Sequence, residues 1–355
     1  MLKKRVLTDD LIVGMRLFED VITQEGQLLV VKGTEITPRI ITRLKFYGIH
    51  SMDIEPDIVE KPQDIGSYMK IEATEEFRKF DSTLHHAVNN LENTISDAIL
   101  SGKEIDTWRL LATVDTIVTD AGNGLHLMSM LQCIRGYDDL IYVHSINVAL
   151  ICNVMGTWLN MSEEDKRLLT VAGLLHDIGK TMIPKELLSK QDKLTDEEYQ
   201  IVQSHALKGY ELIRDKNIDV RIKLAILQHH ERCDGKGYPL GLPGDKVIDF
   251  AKIIAIADVY DAMTANRSYR RGICPFDVID TFEKDGYQKY DPKFLLTFLQ
   301  RISQGYLNTK VILSDGRNAE IIMLNNSQLS KPVVRVGDEY INLAEKPGLT
   351  VQSLL

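Results

Sequence analysis

VAGLLHDIGK, residues 171–180, is the stretch on which the fold turns. Val171, Leu174, Leu175 and Ile178 follow the i, i+3, i+4, i+7 spacing of a buried helix face. His176 and Asp177 interrupt that face. An ionised aspartate there is costly unless a positive charge meets it. Lys180 lies four residues after His176 and three after Asp177, so all three project to one end of the helix surface. The oddity recurs along the chain. His144 falls in line with Ile141, Val148 and Ile151, and His205 with Ile201, Val202, Gly209 and Leu212. His229 and His230 extend the face of Ile222, Ala225 and Ile226, while Asp258 continues Ala251, Ile254 and Ala255. Five helices each turn a histidine or aspartate toward the core, which makes the chain mainly α.

A single histidine on an apolar face is ordinarily a hydrogen-bonded core residue, so His144 or His205 alone carries little. The adjacent pairs differ, because burying His-Asp or His-His without a counter-charge is expensive. Neutral imidazoles and carboxylates converging from five helices suit a metal cluster. Seven such groups exceed what one tetrahedral ion needs, which points to two ions. His85-His86 makes a useful contrast: it sits in a helix with no other ligand motif nearby. HHERCDGKGYP, residues 229–239, has two readings. Its Asp-Gly and Gly-rich dipeptides mark a surface turn anywhere. Directly after two ligand candidates, the same turn forms a pocket wall, with glycines that admit close approach and the ring and hydroxyl of Tyr238. Asp261, one turn after Asp258, either orients a ligand or pairs along its helix. Glu231 reads as a structural hydrogen-bonding partner.

The bulk numbers set limits. The 355 residues carry a net charge of −9, with 44% hydrophobic and 26% charged residues. This suits a globular protein and speaks against polymeric nucleic acid as a partner. A small anion still finds a basic patch in NRSYRR, residues 266–271. Runs such as VALIC and AKIIAIA fall far short of the ~20 residues that cross a bilayer, so no membrane insertion is expected. The N-terminus lacks the apolar segment of a secretory signal. Cys133, Cys152, Cys233 and Cys274 offer no Cys-x-x-Cys pair and read as free thiols of a reducing, cytoplasmic compartment.

Four segments emerge. Residues 1–60 are a small αβ accessory domain, with β-rich runs around Glu25-Gly26 and a helix capped by Thr37. Residues 61–130 are a helical linker. Its stripe of Phe77, Phe80, Leu84, Val88, Leu91, Ile95 and Ala98 is either a homodimer seam or packing within the chain. Residues 131–303 are helical, with SEED and TDEE as capping signals. Residues 304–355 are a β-rich appendage with an Asp315-Gly316 hairpin turn.

LLHDIGK, His205, HHERCDGKGYP and IIAIADVYDAMTANRSYR, in that order, resemble the HD-GYP subgroup of the HD phosphohydrolase superfamily. The resemblance covers roughly residues 131–303. It implies an all-helical HD-type metal hydrolase core with small β-rich terminal units. The implied activity is a phosphodiesterase that opens cyclic di-GMP to linear pGpG, with GMP after a second cut. Cyclic GMP-AMP is an alternative substrate. The implied cofactors are two divalent ions, iron or manganese. His144, His176, Asp177 and Asp258 match the ligands of one ion, and Asp177 bridges to a second held by His205, His229 and His230. Hydroxide held between two cations ~3.5–4 Å apart would attack phosphorus. Lys180 matches the lysine beside the site. Gly237, Tyr238 and Pro239 are the GYP signature, and Arg267 and Arg270 match positions associated with substrate phosphates. Members with three metals carry a glutamate one turn before the first histidine. Leu140 stands there, after Asp138 and Asp139, which favours two metals. Two other readings compete: a cyclic-dinucleotide sensor with little turnover, and an HD hydrolase of another nucleotide. None of the seven ligand positions is lost, as a sensor would allow.

Overall fold

The computed structural model describes residues 4–8, 11, 15–22, 28–34, 36–37, 40, 44, 49, 51–54, 74–134, 140–190, 192–264 and 273–355. The chain forms two compact units, Met1–Ile65 and Gly66–Leu355. In the first, β1 (Lys4–Leu7) pairs antiparallel with β4 (Ser51–Ile54), and β2 (Val21–Ile22) with β3 (Leu28–Val30). Leu17, Ile36, Leu44 and Ile54 centre its core. Ile40 N–H donates to Thr37 Oγ1 at 3.3 Å, as the capping signal predicts. Most of that helix, and the Glu25-Gly26 turn, lie outside the described residues.

The second unit is helical. In order come α1 (Glu75–Leu100), α2 (Thr107–Asp120), α3 (Gly124–Gln132), α4 (Leu140–Trp158) and α5 (Glu163–Leu175). A 3-10 turn (Ile178–Met182) leads to α6 (Lys185–Leu188), α7 (Asp196–Gln203), α8 (His205–Ile213), α9 (Val220–Gln228) and α10 (Asp249–Thr264). The helices α11 (Pro275–Thr281), α12 (Tyr287–Lys289) and α13 (Pro292–Gln304) follow. Side-chain caps start several of them. Ser162 accepts from Asp165 N–H, and Thr195 and Glu198 form a full capping box. Strands β5 (Lys310–Leu313), β6 (Asn318–Met323), β7 (Val333–Val336), β8 (Glu339–Asn342) and β9 (Val351–Leu354) form an antiparallel sheet in the order β8-β7-β6-β5-β9. The Asp315-Gly316 turn joins β5 to β6, with Gly316 at φ 85°. Val311, Leu313, Ile321, Val334 and Val351 of the sheet share one apolar cluster with the helices.

One open reading and one expectation meet the structure here. The stripe on α1 packs within the chain, the second of its two readings: every one of its residues is buried inside its own unit, where α1 packs on α2 and α4. The spacing records only that a partner surface exists, and here the chain supplies it. Secondly, residues 171–180 are not one helix. The α-helix ends at Leu175, and the chain re-enters a 3-10 turn at Ile178. Gly179 explains the turn's seat. A Cβ there would stand 1.9 Å from the carbonyl oxygen of His205, so only glycine lets this turn lie against α8. That contact sets Asp177 beside His205. Ile141–Trp158, within α4, is the one described helix long and apolar enough to cross a membrane, and it is mostly buried in the unit.

Candidate metal centre

All seven ligand candidates meet in one place. His144 comes from α4, His176 and Asp177 from the end of α5, His205 from the start of α8, His229 and His230 from just past α9, and Asp258 from α10. They fall into two adjoining groups, each with ligand atoms within 4.8 Å of one another. One holds Asp177, His205, His229 and His230; the other holds His144, His176 and Asp258. Asp177 faces both. Its Oδ1 lies 3.3 Å from His205 Nε2 and 3.8 Å from His229 Nε2. Its Oδ2 lies 3.3 Å from His176 Nε2 and 3.7 Å from His144 Nε2.

The helix ends fix the tautomers. The last carbonyls of a helix have no intrahelical donor. His176 Nδ1–H donates to the Gly173 carbonyl at 2.7 Å, His205 Nδ1–H to Val202 at 2.7 Å, and His229 Nδ1–H to Ile226 at 2.8 Å. A carbonyl only accepts, so each proton sits on Nδ1 and each neutral ring aims an Nε2 lone pair inward. The result is a cluster in which these three imidazoles present only acceptors. His205 Nε2 and His229 Nε2 confront each other at 3.2 Å. His176 Nε2 and Asp177 Oδ1 are buried without a hydrogen-bond partner. Buried acceptors facing acceptors are unfavourable. A cation between them satisfies every one, so the donor set fits divalent metal.

His144 is held from behind. Its Nδ1–H donates to Asp261 Oδ2 at 2.7 Å, and Asn147 Nδ2 donates to Asp261 Oδ1 at 2.9 Å. Asp261 is therefore an orienter of His144, the arrangement that commonly fixes a metal-binding imidazole. His144 Nε2 lies 3.0 Å from Asp258 Oδ1. Burial alone would depress the His144 pKa, but the hydrogen bonds to Asp258 and Asp261 outweigh it and raise it to about 10. Burial pushes His205 down, His229 well down and His230 down to about 3, and the neighbouring imidazoles add to the effect.

These directions predict a pH profile for the metal-free protein. Below about pH 6.5 the unfolded chain takes up protons at His205, His229 and His230 that the folded chain refuses. Stability therefore falls with acid, by ~1.4 kcal/mol per group per pH unit. His144 is protonated in both states there, so its stabilising contribution is fully present and does not change with pH. Above about pH 6.5 it is protonated only in the folded state, so its contribution is lost as pH rises toward 10. Thermal melting of chelated protein should peak near neutrality and drop toward pH 5.5. A flat profile would mean that these imidazoles are solvated.

Around the cluster, Lys180 Nζ donates to Asp177 Oδ2 at 2.5 Å. Burial would raise the Asp177 pKa, but the Lys180 ammonium overcomes it and holds the carboxyl well below the usual range. Tyr238 stacks on His230, with ring centroids 4.6 Å apart. A Cβ on Gly237 would stand 2.4 Å from Arg232 N and from the Glu231 Cα, so the Gly-Tyr-Pro turn lies flush on the segment carrying the ligands. Glu231 accepts backbone N–H bonds from residues beyond that turn. Arg267 and Arg270, with Asp138 and Asp139, lie outside the described residues. His85 and His86 are exposed on α1, away from the cluster. Sequence reasoning missed Asn147. Its contact with Asp261 spans 114 residues, and nothing local marks it.

A helical domain that aims imidazole lone pairs and carboxylates at two adjoining points is a metal-binding domain. Residues 129–294 match the model of the HD domain family. A cyclic di-GMP phosphodiesterase of Pseudomonas aeruginosa is 31% identical over 237 residues, covering 66% of this chain and 57% of that protein. A 3'3'-cGAMP-specific phosphodiesterase of Vibrio cholerae is 38% identical over 144 residues, covering 40% of this chain and 33% of that one. The chain thus spans about half the length, or less, of these relatives. Bd1817 of Bdellovibrio bacteriovorus, described as a HDG"Y"P protein, matches in fold with a TM-score of 0.50 at 18% identity, covering 84% of this chain and 98% of that chain.

Proposed function

We propose that the chain is a metal-dependent phosphodiesterase that opens cyclic di-GMP to linear pGpG and, by a second cut, to GMP. Cyclic GMP-AMP is the alternative substrate. The observation that carries this reading is the buried set of inward-facing acceptors around Asp177, each oxygen of which faces one group of imidazoles. The printed activities of the relatives supply the substrate class. We assign His144, His176, Asp177 and Asp258 to one cation and His205, His229, His230 and Asp177 to a second, with iron or manganese as the metal.

When bound, such a pair supplies Lewis acidity toward a phosphodiester and a nucleophile from water at neutral pH. The chain's own groups do the rest. Asp261 keeps the His144 ring in register, and the three helix-end carbonyls keep Nε2 aimed inward. Lys180 is beside Asp177 and about a quarter exposed, and we assign it to a non-bridging phosphate oxygen or the leaving ribose oxygen. An ammonium there offsets developing charge or delivers a proton. Tyr238 offers an aromatic face beside the cations, suited to a nucleobase. Residues 131–303 serve as the catalytic domain, with 1–60, 61–130 and 304–355 as accessory segments. The free thiols and a nucleotide substrate suit the cytoplasm.

The test is anaerobic purification with metal analysis, followed by a cyclic di-GMP assay with iron and manganese separately. Turnover to pGpG is expected. Tight binding without turnover would instead favour a sensor. Lys180→Ala should lower kcat by about 10²-fold, the usual scale for one electrostatic donor, with metal content unchanged. Loss of metal in that variant would make Lys180 a support of Asp177 only.

A further inference from the structure

Between the paired histidines and the Gly-Tyr-Pro turn sits a buried carboxylate that the reaction above does not use. Glu231 is 4% exposed. Its Oε1 accepts the backbone N–H groups of Leu240 (2.7 Å) and Gly241 (3.1 Å), and its Oε2 accepts that of Leu242 (2.9 Å). The segment 240–242 has no regular secondary structure, so one side chain replaces the ladder that would otherwise hold these three donors. The other end of the loop is also tied down: Tyr238 N–H donates to the His230 carbonyl at 3.2 Å. Tyr238 lies against His230, and Leu240 points outward, 54% exposed.

We infer that Glu231 is a positioning residue for the substrate: its carboxylate locks residues 238–242 to the metal-ligand pair and thereby holds Tyr238 as one wall of the nucleotide site. This rests on the phosphodiesterase reading. The logic is one of rigidity. His230 and Glu231 are adjacent in the chain, so the cations and the wall move together only while the carboxylate keeps its three donors. A charge-assisted acceptor of backbone N–H is among the stronger hydrogen bonds available to a loop. With it gone, the Tyr238 ring loses its fixed distance from the ligand pair. The three loop N–H groups are then left to water.

The prediction separates the wall from the chemistry. In metal-loaded, full-length protein, Glu231→Ala should raise KM for cyclic di-GMP about tenfold or more, while kcat changes less. Hydrolysis of bis(p-nitrophenyl) phosphate, which has no nucleobase, should be unchanged, as should metal content. Glu231→Gln keeps the oxygen that serves Leu240 and Gly241 and should show the smaller rise in KM. Amide hydrogen exchange at Leu240, Gly241 and Leu242 should speed up at least tenfold in the alanine variant. Unchanged exchange, unchanged KM, or equal loss on both substrates would overturn the inference. Metal loss would do the same, making Glu231 a support of the histidines. If the parent protein cleaves neither substrate, the phosphodiesterase reading fails, and the exchange rates still decide whether Glu231 holds the loop.

Discussion

Asp177→Ala should abolish turnover, by on the order of 10³-fold or more. Asp177 faces both groups of imidazoles, Oδ1 toward His205 and His229, Oδ2 toward His176 and His144. On the proposed assignment, truncation removes the ligand shared by the two cations, and it takes the Asp177 carboxylate away from Lys180. Both groups of donors are weakened at once, so metal stoichiometry should fall together with activity. This separates Asp177 from Lys180, whose loss should spare the metal. Near-normal hydrolysis of cyclic di-GMP by the Asp177→Ala protein would remove the bridging role.

The second large effect is on stability. A fold that buries His176 Nε2 and Asp177 Oδ1 without donors, and sets His205 Nε2 against His229 Nε2, carries an unmet electrostatic cost. A cation removes it and adds its own binding free energy. A ligand at a thousand times its dissociation constant contributes about 4 kcal/mol. For a unit of this size each kcal/mol moves the melting temperature by roughly 2–4 °C. Chelation should therefore lower the melting temperature by roughly 10 °C, reversibly, and re-addition of manganese should restore it. Equal melting of chelated and metal-loaded protein would mean that the cluster does not take up the ion.

Much of the site was legible because its residues break a rule visible in one dimension. His176, Asp177, His229, His230 and Asp258 stand on helix faces that are otherwise apolar, and such faces point inward. Their convergence followed from that alone. Other features were not legible. The helix break after Leu175 was hidden because the apolar spacing runs on through Ile178 regardless. The tautomers depend on the carbonyls of Gly173, Val202 and Ile226, which every residue possesses and no side-chain pattern reveals. The burial of the α1 stripe within its own unit was undetermined, since a heptad does not encode whose surface it meets. Glu231 was read only as structural, because the donors it gathers lie up to 11 residues further on, in a loop without periodicity.

The central claim is that Asp177 lies between two cations, held by His144, His176 and Asp258 on one side and by His205, His229 and His230 on the other. Anomalous diffraction at the manganese or iron edge, on crystals grown with the metal in excess, tests it most directly. Two peaks ~3.5–4 Å apart, each contacted by Nε2 atoms and by one oxygen of Asp177, are the expected result. A single peak bound without Asp177, or no peak with the imidazoles paired only to protein groups, would contradict it.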